Sequence, residues 1–136
     1  MIRPIMKDMF FLQQKSEPAG PADRQVIQDL TDTLKAHQME CVGMAANMIG
    51  VKKRIIIVHA GLFDMIMVNP VIVSRSEPYE TEEGCLSLSG VRKTTRCRTI
   101  TVSYHDQNFK QQKQVFRDWT AQIIQHEIDH CDGILI

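Results

Sequence analysis

His126 and His130 stand four residues apart, with Glu127 directly after the first, in the run Gln125-His126-Glu127-Ile128-Asp129-His130. On a helix, residues i and i+4 share a face, so both imidazoles can reach one metal ion. The carboxylate between them is then placed to handle protons on water activated by that ion. The chemistry this implies is metal-assisted hydrolysis. Two imidazoles do not complete such a site, because a catalytic zinc-type centre takes three protein ligands and leaves one position open. A plain, partly buried histidine pair is the competing reading until a third ligand is found.

The chain has four cysteines, Cys41, Cys85, Cys97 and Cys131. No CxxC pair occurs, which argues against a four-cysteine structural zinc site. No signal peptide precedes them, which argues against a disulfide framework. Most free cysteines are small buried hydrophobes, and Cys97, in a strand-like run, reads that way. Cys131 directly follows His130 and is expected to point off the ligand face. Cys85 lies in Glu83-Gly84-Cys85-Leu86-Ser87, a polar turn whose glycine lets backbone approach a ligand closely. One thiolate with two imidazoles is a sound set for a divalent ion. A buried, inert thiol is the alternative for Cys85.

These residues need elements to hold them. A helix is predicted from Asp118 to Cys131, with Asp118 as N-cap, Trp119, Ile123, Ile124 and Ile128 on an apolar side, and Gly133 as the stop. A second, amphipathic helix is predicted from Asp23 to about His37, burying Val26, Ile27, Leu30 and Leu34. Residues 12–22 read as a loop. Arg54–Val58 reads as a buried strand. Met65–Val68 and Val71–Val73 read as two strands broken by Asn69-Pro70. Ile100, Val102 and Tyr104 alternate with polar residues in a half-buried strand, which Asp106-Gln107-Asn108 turns toward Gln114-Val115-Phe116. Ile134-Leu135-Ile136 reads as a short packed strand. Helices with a run of mostly short strands give an α+β fold. His37, His59 and His105 read as ordinary histidines.

At 136 residues the chain is expected to form one domain, residues 1–136, with a sizeable core. A formal net charge of zero argues against nucleic-acid or anionic-membrane partners. No apolar run approaches membrane-spanning length. Free cysteines favour a reducing cytoplasm.

Glu83–Ser87 together with His126–His130 resembles the peptide deformylase family. Val42-Gly43-Met44-Ala45-Ala46 is similar to that family's first motif, and Ile2-Arg3-Pro4-Ile5 to its N-terminus. The motif blocks fall in the family order, and the likeness spans essentially the whole chain. The resemblance implies antiparallel β-sheets around a central metal-bearing helix. It implies one divalent ion held by Cys85, His126 and His130, with ferrous iron as the native metal and zinc or nickel as substitutes. It implies that Glu127 accepts the proton of water and returns it to the leaving amine, and that the Leu86 N–H holds the oxyanion. The implied substrate is the formyl group on the initiator methionine of new polypeptides, released as formate. Val42 and Gly43 would pair with the extended substrate, Gly84 would approach from the other side, and Arg92 matches a position that contacts the substrate backbone. The methionine pocket would draw on Val42, Trp119 and Ile123, which read equally as core; Arg92 reads equally as a surface arginine. Asp129, and Glu83 paired with Arg96, would orient the ligands, or stand as solvated charges. Implied partners are the N-formyl-methionyl nascent chain and a transient ribosome contact, with no direct nucleic-acid binding and no membrane.

One block departs from the pattern. The family reads roughly Gly-x-Gly-x-Ala-Ala-x-Gln, and this chain reads Cys41-Val42-Gly43-Met44-Ala45-Ala46-Asn47-Met48. Met48 stands where a glutamine would donate to the oxyanion, and a thioether has no proton to donate. Asn47 is expected to turn toward the metal and restore part of that loss. The other readings are a metal amidase for another N-acylated peptide, a metal-binding protein without turnover, and a metal-free hydrolase with Cys85 as nucleophile.

Overall fold

A computed structural model describes residues 1–136. The β-branched run Ile55–Val58 sets the architecture, because all four side chains are buried and successive residues face opposite ways. Ile56 and Val58 pack into a cluster with Ile123, Ile124 and Ile128, while Ile55 and Ile57 pack into a second cluster with Ile27, Leu30 and Leu34. The strand is therefore covered by a helix on each face.

It is the second of five strands: β1 (Gly43–Ala45), β2 (Ile55–Ala60), β3 (Phe63–Gly84), β4 (Val91–His105) and β5 (Gln111–Arg117). They form one sheet in the order β1-β2-β3-β4-β5, each antiparallel to the next. Three α-helices accompany them: α1 (Met9–Leu12), α2 (Arg24–Ala36) and α3 (Asp118–Cys131). This is the α+β arrangement expected.

Several details differ from expectation. The break predicted at Asn69-Pro70 is instead a bulged stretch inside the continuous β3, with register shifts between Val68 and Val71 and again between Ile72 and Ser74. A bulge leaves residues unpaired and so absorbs the missing proline N–H. Asn69, at φ 51°, turns its amide onto Ala19, accepting its N–H at 2.8 Å and donating to its carbonyl at 2.9 Å. Beyond the bulge, β3 runs on to Gly84 against β4, so Glu83 and Gly84 belong to a strand end and not to a turn.

Helix α3 has the predicted bounds, but Asp118 does not cap it. Strand β5 runs into the helix without a linker, so Arg117 takes the N-cap position, and Asp118 sits at φ 55° with its carboxylate exposed. Gly133 ends the helix at φ 76°, where an added Cβ would collide with the Gln13 backbone. Ile134–Ile136 forms no strand; Ile136 is buried and Ile134 exposed. The stretch read as a loop begins with the end of α1, which Asp8 caps through the Phe10 N–H, and closes with a 3-10 turn at Pro21–Asp23. No helix is long and apolar enough to cross a membrane.

Candidate metal centre

On α3, His126 and His130 lie one turn apart, and their Nε2 atoms are 3.2 Å from each other. Cys85 follows directly on the last residue of β3, and its Sγ lies 3.3 Å from His130 Nε2. The ligand atoms of Cys85, His126 and His130 all fall within 4.8 Å of one another. A tetrahedral ion with Zn–N bonds of about 2.0–2.1 Å and a Zn–S bond of about 2.3 Å separates two nitrogens by roughly 3.3 Å, and nitrogen from sulfur by roughly 3.5 Å. The His126–His130 and Cys85–His130 spacings fit that geometry, the third pair lies within 4.8 Å, and the donor set suits a divalent transition metal.

The surroundings fix the first imidazole. His126 Nδ1 lies 2.8 Å from Glu83 Oε1. Glu83 also accepts from Arg96 at 2.7 and 3.0 Å and from Gln122 at 2.9 Å, and Arg96 makes a further 2.6 Å bond to Asp129. Arg96 and Glu83 are both buried, at 4% and 8% exposure, so the charges are shielded from water and neutralise one another. Burial raises the Glu83 pKa, but the bonds from His126, Arg96 and Gln122 overcome it and hold the carboxyl at about 2. Burial disfavours charge on His126 as well, yet its contacts with Cys85 and Glu83 shift it upward. For His130, burial and then the His126 charge lower the pKa to about 3, so the ring is neutral, the form that binds metal.

Glu127 lies next to His126 in the chain and is 4% exposed. Burial pushes its carboxyl up to about 7, and its Oε1 has no hydrogen-bond partner. A carboxyl poised near neutrality is suited to accept and return a proton. Gly43 packs closely there: a Cβ at this position would lie 2.7 Å from Ile123 Cγ2 and 3.0 Å from Glu127 Oε2. Only glycine lets β1 approach α3 so tightly.

A cavity of about 650 Å³ opens over this group, with Val42, Gly43, Gly84, Leu86, Trp119 and Ile123 on its wall. The Leu86 N–H has no hydrogen-bond partner within the chain. The Val42 carbonyl already accepts from His59 N–H at 2.8 Å, so on that residue only the amide side is open to a pairing peptide. β1 is an edge strand, with one side left for an added strand. Arg92 does not line the cavity; it lies in β4 opposite Glu83, with Nη1 3.3 Å from the Ser89 carbonyl.

The altered first motif behaves differently from expectation at Asn47. Its side chain does not face the metal group; Nδ2 donates to the His130 carbonyl at 2.9 Å, because the 3-10 turn Ala46–Ile49 sends residues 47 and 48 in different directions. Met48 lines the cavity instead, with its sulfur 3.5 Å from the Ala45 N–H. Cys41 bonds through Sγ to the Gly43 carbonyl at 3.1 Å, and burial pushes its thiol up to about 11, keeping it protonated. Cys131 is buried in the core behind α3.

Sequence reasoning passed over Gln125. Its amide accepts from Cys97 N–H and donates to the Cys97 carbonyl, each at 2.9 Å, clamping α3 to β4 next to His126. The signal was a fully polar side chain within the helix's apolar run.

Three atoms able to hold one ion, with a buried carboxylate beside them under an open cleft, make up the apparatus of a metal-dependent hydrolase. Comparison with known proteins narrows the class. The model of the polypeptide deformylase family matches residues 2–136. The peptide deformylase of Clostridium beijerinckii is 60% identical, covering 100% of both chains, and that of Chlorobium phaeobacteroides is 35% identical over 91% of this chain and 72% of its own. A peptide deformylase structure from Legionella pneumophila superposes with a TM-score of 0.88 at 31% identity, covering 99% of this chain and 83% of its own. A class I type b peptide deformylase from Acinetobacter baumannii bound to Met-Ala-Ser gives 0.89 at 28% identity, covering 99% and 97%. The chain belongs to the peptide deformylase family.

Proposed function

We propose that this chain hydrolyses the N-terminal formyl group of formyl-methionyl peptides, releasing formate, with Cys85, His126 and His130 as metal ligands and Glu127 as the proton carrier. The observation that carries this is the gathering of one sulfur and two imidazole nitrogens within 4.8 Å beside a buried carboxylate with one unpartnered oxygen. The ion, when bound, supplies Lewis acidity toward oxygen. Glu127 takes a proton from water and later delivers it to the amine that leaves. The Leu86 N–H donates to the oxyanion that develops as the amide carbon becomes tetrahedral. The open edge of β1 at Gly43, with Gly84 opposite, accepts the substrate backbone in extended form. Val42, Trp119 and Ile123 enclose the methionine side chain. Residues 1–136 act as one domain, in the cytoplasm. We assign ferrous iron as the native ion, with zinc or nickel as working substitutes; a thiolate with imidazoles admits all three.

Met48 and Cys41 change the wall where the acyl group sits, which favours a second reading: an amidase for a different N-acylated peptide. Protein purified without oxygen, analysed for metal and assayed on formyl- and acetyl-Met-Ala-Ser separates the two. Formate release that tracks metal content supports deformylation. Preference for the acetyl peptide supports the second reading, and a metal-loaded protein inert on both overturns each.

A further inference from the structure

Asn47 and His130 are joined by one hydrogen bond, and each keeps one buried polar atom without a partner. Asn47 Nδ2 donates to the His130 carbonyl at 2.9 Å. Asn47 is 1% exposed and its Oδ1 accepts from nothing; His130 is 0% exposed and its Nδ1 is likewise unpaired. Buried polar atoms left unpaired cost about 1–3 kcal/mol each, so two on adjoining residues call for an explanation.

The two atoms are chemically complementary. A neutral imidazole that binds an ion through Nε2 carries its proton on Nδ1. That N–H is then a buried donor, and ligating histidines regularly give this proton to an oxygen that fixes the ring. His126 has such an oxygen in Glu83. His130 has no carboxylate; the unpaired acceptor on a residue already tied to it is Asn47 Oδ1.

We infer that Asn47 is a positioning residue of the metal centre, accepting the His130 Nδ1 proton through one bridging water, and so setting the tautomer and orientation of that ring. This rests on the reading of His130 as a metal ligand. Asn47 thus serves the ligand from behind, where the neighbouring Met48 faces the cavity.

The test is imidazole nitrogen NMR on zinc-loaded, ¹⁵N-labelled protein, alongside zinc affinity by competition. In the wild type the His130 Nδ1–H is expected to exchange slowly and to show a nuclear Overhauser effect to the Asn47 side-chain amide. In Asn47→Ala that protection falls at least tenfold, the zinc Kd rises about 10–100-fold, and the His126 Nδ1–H keeps its shift. A rapidly exchanging His130 Nδ1–H in the wild type overturns the inference even if no variant folds. So does an Asn47→Ala protein whose zinc Kd stays within twofold. Zinc that leaves the His130 ring unshifted overturns this inference and the metal reading together; a shifted ring with an unprotected proton overturns this inference alone.

Discussion

Glu83 Oε1 and His126 Nδ1 lie 2.8 Å apart, joining the end of β3 to the middle of α3. Cys85 is two residues further along the chain from Glu83, so the same strand end delivers one proposed ligand and steers another. The bond also gives the centre a pH signature. Glu83 is held at about 2, below its ordinary 4.5. A carboxylate with a depressed folded pKa contributes stability that is complete above the unfolded value and lost as pH falls toward the folded one. The expected outcome is a loss of unfolding free energy between about pH 4.5 and 2, flatter in Glu83→Gln, measured by urea melts at each pH. Equal slopes in both proteins would sink the assignment.

Glu127→Gln keeps the size of the side chain but cannot carry a proton. The ligand atoms are untouched, so metal content is expected to stay near wild type while formate release falls by about 10²–10⁴-fold. Because burial lifts the Glu127 carboxyl to about 7, wild-type activity should rise with pH along a limb at about 7 or below. That limb should vanish in the variant. A variant that retains a tenth of the activity removes Glu127 from the mechanism.

Gly43→Ala probes the close approach of β1 to α3. The new methyl group would stand 2.7 Å from Ile123 Cγ2 and 3.2 Å from the Ile57 carbonyl, and the latter is backbone that cannot swing aside. Overpacking of this kind costs about 1–3 kcal/mol. The midpoint of urea unfolding should drop accordingly, and kcat with it, since Glu127 must shift. Wild-type values for both would show that the strand can retreat.

Met48→Gln restores a donor at the cavity wall. The Asn47 amide is spent on His130, so it does not supply that donor. The expected result is a gain in kcat on the order of 10²-fold on formyl-Met-Ala-Ser, with KM little changed. No gain would mean that the Leu86 N–H suffices or that another group has taken the role.

The helical part of the site was readable because α3 is long enough for its period to show. His126, Glu127 and His130 could be placed on one element from spacing alone, and the bounds Asp118–Cys131 came from an acidic start and a glycine stop, although Arg117 and not Asp118 takes the N-cap. Arg96 was partly readable: it shares strand parity with the buried Ile100, Val102 and Tyr104, an odd place for a charge unless partners await it. The far half of β3 was not, because Ser74-Arg75-Ser76-Glu77-Pro78 is polar and proline-bearing and is held as strand by pairing with β4, not by its own burial. Nor was the facing of Asn47 and Met48, which sit in a 3-10 turn too short for any periodicity to declare itself.

From residue 121 to 131, helix α3 has no exposed side. Ile124, Ile128 and Cys131 lie in the core cluster while His126, Glu127 and His130 are buried in the centre itself. The helical half of the centre is therefore tied to the core and has no hinge of its own. Warming should erase turnover and native structure in a single step, with no inactive but still folded species in between.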